Sequence, residues 1–257
     1  MTALRPPVIN TLEDLPLHPP QRIRPGVMAQ RWHDLAFISW AYEVEPVQRL
    51  LPPGMEVDTF DGAAWVSLVP FHLSIRLPGT PAVPWVSRFP EINVRTYVRG
   101  PDGRRGIWFL SLDASRLGAV IVARRTHRLP YMWTSARCSR DGDRRRYAGA
   151  RRWPAGEASW DLAIDVGGSM DELDDLHRFL TARWRLYTPG PLVLPARSIG
   201  FAQTLVDHPP WPLHHARLAE GRTSLLEAAG LPGPSDGPVS SFSPGVRVRF
   251  ARRSPID

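Results

Sequence analysis

The residues best equipped for chemistry fall in one short segment, Phe89-Pro-Glu-Ile-Asn-Val-Arg-Thr-Tyr-Val98. Its aromatic and β-branched content predicts a strand, and strand side chains alternate between two faces. One face then carries Glu91, Asn93, Arg95 and Tyr97, and the other Ile92, Val94, Thr96 and Val98. A carboxylate, an amide, a fixed cation and a phenol in one row could bind an anion and move protons. A solvated outer face is the plainer reading of the same row. The next strand, Gly106 to Asp113, presents Phe109, Ser111 and Asp113 on one face, so Ser111 and Asp113 join the candidate binding residues. Glu91 and Arg95 are four residues apart, roughly 13 Å at ~3.3 Å per residue. A buried Arg95 would need another anion, and Asp113 or a bound carboxylate is the expectation.

The chain contains no lysine, and every one of its 32 Lys/Arg positions is arginine. A guanidinium stays protonated and is a poor nucleophile. Schiff-base catalysis, a pyridoxal cofactor held by an internal amine and a P-loop lysine on phosphates are all excluded. The single cysteine, Cys138, cannot form an internal disulfide, and a nucleophilic role for it has little support. His208, His214 and His215 match no standard metal-ligand spacing, and no metal or other cofactor is expected. The net charge of +7 invites a nucleic-acid reading, but the arginines are scattered along the chain without a recognition motif. Nucleic acid is therefore not an expected partner.

Three turn signals organise the elements that must hold these residues. Asp61-Gly62, Pro101-Asp-Gly103 and Asp141-Gly-Asp143 each separate two strand-like runs, which predicts hairpins. Leu35 to Tyr42 and Val246 to Ala251 read as further strands. Pro46 to Leu51 and Thr223 to Ala229 could form short helices, and Ser115 to Thr126 forms a longer one. Ser169-Met-Asp-Glu172 reads as a capping box opening a helix that runs to Tyr187. Residues 72–90, with four prolines, predict a long covering loop. No βαβ rhythm is present, which argues against Rossmann and TIM folds. The expected fold is α+β and mainly β: a curved antiparallel sheet closing into a barrel or cone with two or three peripheral helices. Residues 1–30 read as an extended Pro-rich arm and 31–257 as a single domain. The longest apolar run, Leu117 to Ala123, is far below the ~20 residues of a membrane span. With no leader pattern in the N-terminal stretch, a cytoplasmic protein away from membranes is expected.

Several motifs recur in a specific order: Leu51-Pro-Pro-Gly54, Asp58-Thr-Phe-Asp-Gly62, Ala64-Trp-Val66, Val69-Pro-Phe71, the Phe89–Val98 segment, Phe109-Leu-Ser-Leu-Asp-Ala114, Leu129-Pro-Tyr131 and His208-Pro-Pro-Trp-Pro-Leu213. Over residues 30–250 this set resembles the DUF2071, YqjF-like, family. The resemblance implies an acetoacetate decarboxylase-like cone with an internal pocket. In those decarboxylases a Gly-x-Pro-Lys-Lys segment after a helix supplies the Schiff-base lysine. Here His127-Arg-Leu-Pro-Tyr-Met132 follows the corresponding helix, so Tyr131 stands where the lysine would be. Glu91 resembles the decarboxylases' pocket glutamate.

The resulting expectation is a lyase- or isomerase-type enzyme without a Schiff base. Glu91 would be general base, Arg95 the anion-binding group and Tyr131 the general acid, with Asn93, Tyr97, Ser111 and Asp113 binding substrate. The substrate would be a small oxo acid or polyketide-like molecule with a carboxylate or enolisable carbonyl. The reaction would be decarboxylation, dehydration, isomerisation or cyclisation. A non-catalytic barrel that binds an anionic small molecule is the alternative. Assembly of several copies is left open.

Overall fold

The structure is a computed structural model that describes residues 12, 15–24, 26–76, 88–153, 157–193 and 198–256. In chain order the elements are β1 (Met28–Tyr42), α1 (Val44–Gln48), β2 (Glu56–Val57), β3 (Thr59–Phe60), β4 (Ala63–Arg76), β5 (Arg88–Arg99), β6 (Arg105–Ala114), α2 (Leu117–His127), β7 (Tyr131–Asp141), β8 (Arg144–Trp153) and β9 (Ser159–Ser169). They continue with α3 (Asp175–Thr181), β10 (Arg185–Val193), β11 (Ser198–Asp207), β12 (His214–Thr223), α4 (Leu225–Ala228), β13 (Val239–Phe250) and β14 (Ser254–Pro255).

The three turn signals act as their chemistry requires. Asp61 and Gly62 both adopt positive φ, 50° and 78°, between β3 and β4. Gly103 at 72° and Gly142 at 53° turn the β5–β6 and β7–β8 hairpins.

Among the described residues, the sheet closes on itself twice. One ring of nine strands runs β6-β7-β8-β9-β12-β13-β1-β4-β5 and returns to β6. A second path leaves β6 through β10 and β11 and rejoins at β13. Most pairings are antiparallel, but β6 pairs β7 and β10 in parallel. The layer β13-β1-β4-β5-β6 is common to both closures and is covered on both faces. One face joins Ala36, Ile38, Val66, Leu68, Ile92 and Val94 to Tyr147, Leu162 and Ile164 of β8 and β9. Leu35, Phe37, Val69 and Phe71 on the other face pack with Val206, Trp211 and Val248. That double coverage explains why every residue of β5 from Glu91 to Val98 is buried.

The peripheral helices are α2 and α3, with α1 and α4 as single turns. Two corrections concern them. The capping box at Ser169 does not open a helix: Ser169 ends β9, where it pairs with His214, and the Met170 N–H donates to the Leu213 carbonyl at 2.8 Å. Sheet pairing takes those groups, and α3 starts after Asp174, whose Oδ1 accepts the His177 N–H at 2.7 Å. Residues 185–187, expected in the same helix, pair with β11 instead. The second is that the longer helices do not cover the aliphatic face of β5. That face meets the strands of the nine-membered ring and α4, while α3 brings Phe179 and Leu180 against Tyr97 on the polar face. The first strand begins at Met28 rather than near Leu35. Leu15 of the arm packs beside α3, where the Arg178 Nε donates to its carbonyl at 2.7 Å. Most of the covering loop expected at 72–90, residues 77–87, lies outside the described residues.

Candidate active site

Alternation places Glu91, Asn93, Arg95 and Tyr97 on one face of β5, all buried. Their cross-strand neighbours are mostly apolar. Glu91 lies between Phe71 and Ala114, Asn93 between Val69 and Leu112, and Arg95 between Ser67 and Phe109. A carboxyl group in such surroundings favours its neutral form. Burial raises the Glu91 pKa to about 8, with Asp113 adding to the rise and the Tyr131 hydrogen bond opposing it. The Tyr131 hydroxyl donates to Glu91 Oε2 at 3.2 Å. Burial first, and then the adjacent Glu91, push the Tyr131 pKa well above its usual value, so the phenol stays protonated. Tyr131 reaches Glu91 because β7 starts beside Leu112, the residue opposite Asn93.

The raised Glu91 pKa has a thermodynamic consequence. Between about pH 4.5 and about 8 the folded state holds this proton while the unfolded chain has released it. Glu91 therefore contributes a fall in stability as pH rises through that window, at up to about 1.4 kcal/mol per pH unit. Urea unfolding at about pH 5 and about pH 7.5 should show this fall, and Glu91→Gln should flatten it. An equal pH slope in the variant would place the ionisation elsewhere.

Arg95 has no carboxylate partner among the described residues. Its Nη2 donates to the Leu180 carbonyl at 2.9 Å, and its guanidinium lies over the Phe37 and Tyr97 rings at 5.2 and 5.5 Å. Its Nε and the Oδ1 of Asn93 are buried without a hydrogen-bond partner among the described residues. Tyr97 is held by Ser67 at 2.7 Å, and Ser67 by Ser39 at 2.7 Å. His208 is buried against Trp184 and Trp211. Burial chiefly, and Arg95 in addition, lower its pKa to about 4, so it is neutral at pH 7.

Ser111 and Asp113 are not part of this cluster. The β5–β6 register shifts between Val94 and Arg95, so that Val94 opposes Ser111 while Arg95 opposes Phe109. The extra residue turns Ser111 and Asp113 to the aliphatic face, opposite Val94 and Ile92. There Asp113 receives both Arg151 Nε at 2.8 Å and Arg151 Nη2 at 2.9 Å, and the Ser111 hydroxyl at 3.0 Å. Asp113 is thus the partner of Arg151, not of Arg95. Sequence reading also missed Asp58, fully buried and contacted by Arg183 at 2.7 Å, Arg99 at 3.4 Å and Arg105 at 3.6 Å. Asp58 to Arg183 spans 125 positions, and no local pattern signals it.

Cys138 is a poor nucleophile here, because burial, with Asp34 in addition, pushes its pKa up to about 12. The two cavities described, of about 1180 and 440 Å³, are not lined by Glu91, Asn93, Arg95, Tyr97 or Tyr131. The larger reaches His208, beside Arg95, and Arg88, three residues before Glu91. No helix among the described residues is long and apolar enough to cross a membrane.

Solved structures with this architecture share little sequence with the chain. The enduracididine biosynthesis enzyme MppR, solved also with pyruvate, matches with a TM-score of 0.64 at 14% identity, over 90% of this chain and 88% of its own. An acetoacetate decarboxylase-like enzyme from Sphingomonas wittichii RW1 matches with a TM-score of 0.60 at 12% identity, over 90% of this chain and 93% of its own. The acetoacetate decarboxylase-like fold is thereby established. At the sequence level, the uncharacterized protein YqjF of Bacillus subtilis (strain 168) is 33% identical over 227 residues, 87% of this chain and 90% of YqjF. Residues 29–247 match the DUF2071 model, described as an uncharacterized conserved protein, and the chain belongs to that family.

Proposed function

We propose that this protein catalyses proton transfer at the carbon beside a carbonyl in a small oxo acid, without a Schiff base. The observation that carries this reading is the buried Arg95 with no carboxylate partner among the described residues, on the same strand face as a protonated Glu91. An uncompensated buried cation is a standing penalty, and a substrate carboxylate would offset it. MppR, which shares the fold, was solved with pyruvate, itself an oxo acid.

In this reading Arg95 fixes the carboxylate and Asn93 Oδ1 accepts a hydrogen bond from an enol or hydroxyl O–H of the substrate. Glu91, with a pKa near neutrality, takes the proton once ionised and returns it. Tyr131 acts as a hydrogen-bond donor, to Glu91 before the transfer and to an adjacent oxyanion once Glu91 has taken the proton, because a phenol with a pKa so far raised is a weak proton donor. The Cα atoms of Glu91 and Arg95 stand roughly 13 Å apart along the strand, and their long side chains span part of that gap. That separation favours reactions that keep the carboxylate, namely dehydration, isomerisation or cyclisation, over decarboxylation.

Two measurements test the reading. Calorimetry with α-ketobutyrate should show saturable binding. Borohydride added to the same mixture should leave no adduct on any internal peptide, since no internal amine exists. Absence of binding, or an internal mass shift, would overturn it. Anion binding without turnover is the second reading, favoured by the buried Arg95, which has no carboxylate partner among the described residues whatever Glu91 does.

A further inference from the structure

The larger cleft, about 1180 Å³, carries a charge pattern that the Glu91 site does not explain. Pairing across the shared layer sets Arg247 of β13 opposite Arg31 of β1, Arg31 opposite Ser74 of β4, and Ser74 opposite Arg88 of β5. These residues form one row over four strands, facing the cleft. Arg249 lies two residues beyond Arg247 on the same face, and Arg22 of the arm lines the cleft too. All five arginines are exposed. Among the described residues, no hydrogen bond or ion pair joins any of them to another side chain.

Like charges directly opposite one another in a sheet destabilise it. Neighbouring strands lie ~5 Å apart, so the Arg31–Arg247 pair is in close repulsion. The one carboxylate among the described lining residues, Asp207, already accepts the Ile23 N–H at 3.0 Å. The field is felt next door: burial first, and then Arg31, lower the pKa of His33, which sits opposite His72 one row on.

We propose that this cleft binds a phosphorylated small molecule carrying at least two phosphoryl groups. Guanidinium groups pair phosphate oxygens in bidentate fashion, and five of them call for several negative charges rather than one carboxylate. The volume slightly exceeds the ~300–1,000 Å³ of ordinary ligand pockets and suits a molecule of nucleotide size. Single-stranded nucleic acid is disfavoured, because no Phe, Tyr or Trp is among the described lining residues to stack on bases. The inference does not rest on the role given to Glu91.

The test is calorimetric titration of the full chain with inorganic pyrophosphate, inorganic triphosphate and acetate, with Arg31→Gln/Arg247→Gln as the variant. Saturable one-to-one binding of triphosphate, tighter than pyrophosphate and far tighter than acetate, is expected. The double variant should bind triphosphate at least ~10-fold more weakly. In low-salt buffer free of phosphate the variant should melt at a higher temperature than the parent, since a repulsion has been removed. That gain separates loss of the site from loss of the fold. Arg137→Gln, an exposed arginine of β7 outside the cleft, should change neither reading. The proposal is overturned by three results: no saturable binding, undiminished binding in the double variant, or a short RNA oligonucleotide that displaces triphosphate and binds at least ~10-fold tighter.

Discussion

Arg95→Met should raise the unfolding free energy by about 1 kcal/mol or more and weaken α-ketobutyrate binding at least ~100-fold. The two effects share one cause. Arg95 is 5% exposed, and among the described residues its side-chain hydrogen bonds go to the Leu180 carbonyl and the distant Tyr97 hydroxyl at 3.4 Å. A thioether, which ends near the position of Nε, keeps an apolar stem in the buried cluster and removes a desolvated charge. Lost function with gained stability is the pattern of a residue kept for a ligand. Urea unfolding and calorimetry on the same preparation measure both. A variant destabilised by more than ~2 kcal/mol would show that the guanidinium serves the fold through Leu180. Undiminished binding would place the anion elsewhere.

Asp58→Ala should have the opposite character, with a loss of about 3–5 kcal/mol and no folded protein at elevated temperature. The carboxylate is wholly buried and the side chain of Arg183 is 2% exposed. Burial already lowers the Arg183 pKa to about 10 against the pull of Asp58. Without Asp58 the guanidinium, packed over the Phe179 and Tyr97 rings at 4.3 and 4.8 Å, keeps its desolvation and loses its counter-charge. Arg183→Met added to Asp58→Ala should recover part of the loss. Denaturant midpoints of the two variants are the check, and a single-variant loss below ~1 kcal/mol would contradict the assignment.

Much of the site was legible where the physics is local. Alternation along β5 is enough to put Glu91, Asn93, Arg95 and Tyr97 on one face, and no tertiary information is needed for that. The hairpins at Asp61-Gly62, Gly103 and Gly142 follow from residues that tolerate positive φ. Asp113 was misassigned because alternation fails at a bulge, and nothing in Phe109-Leu-Ser-Leu-Asp113 marks one. The start of α3 was misplaced because a capping box competes with sheet pairing at Ser169, a contest decided by His214, 45 positions away by sequence number. That one layer serves two closures was invisible too. A strand buried on both faces reads as polar or apolar by its side chains alone, and the partners of β13 and β6 are set by distant segments.

The most direct measurement of the central claim is proton NMR of α-ketobutyrate in heavy water with catalytic amounts of protein. Exchange at the carbon beside the carbonyl should exceed the buffer rate at least ~100-fold and fall by a similar factor in Glu91→Gln. Because the base must be ionised, the rate under substrate-limiting conditions should climb with pH through about 8 and then level off. Exchange at the buffer rate, or an undiminished rate in Glu91→Gln, would contradict the assignment of Glu91 as the group that moves the proton.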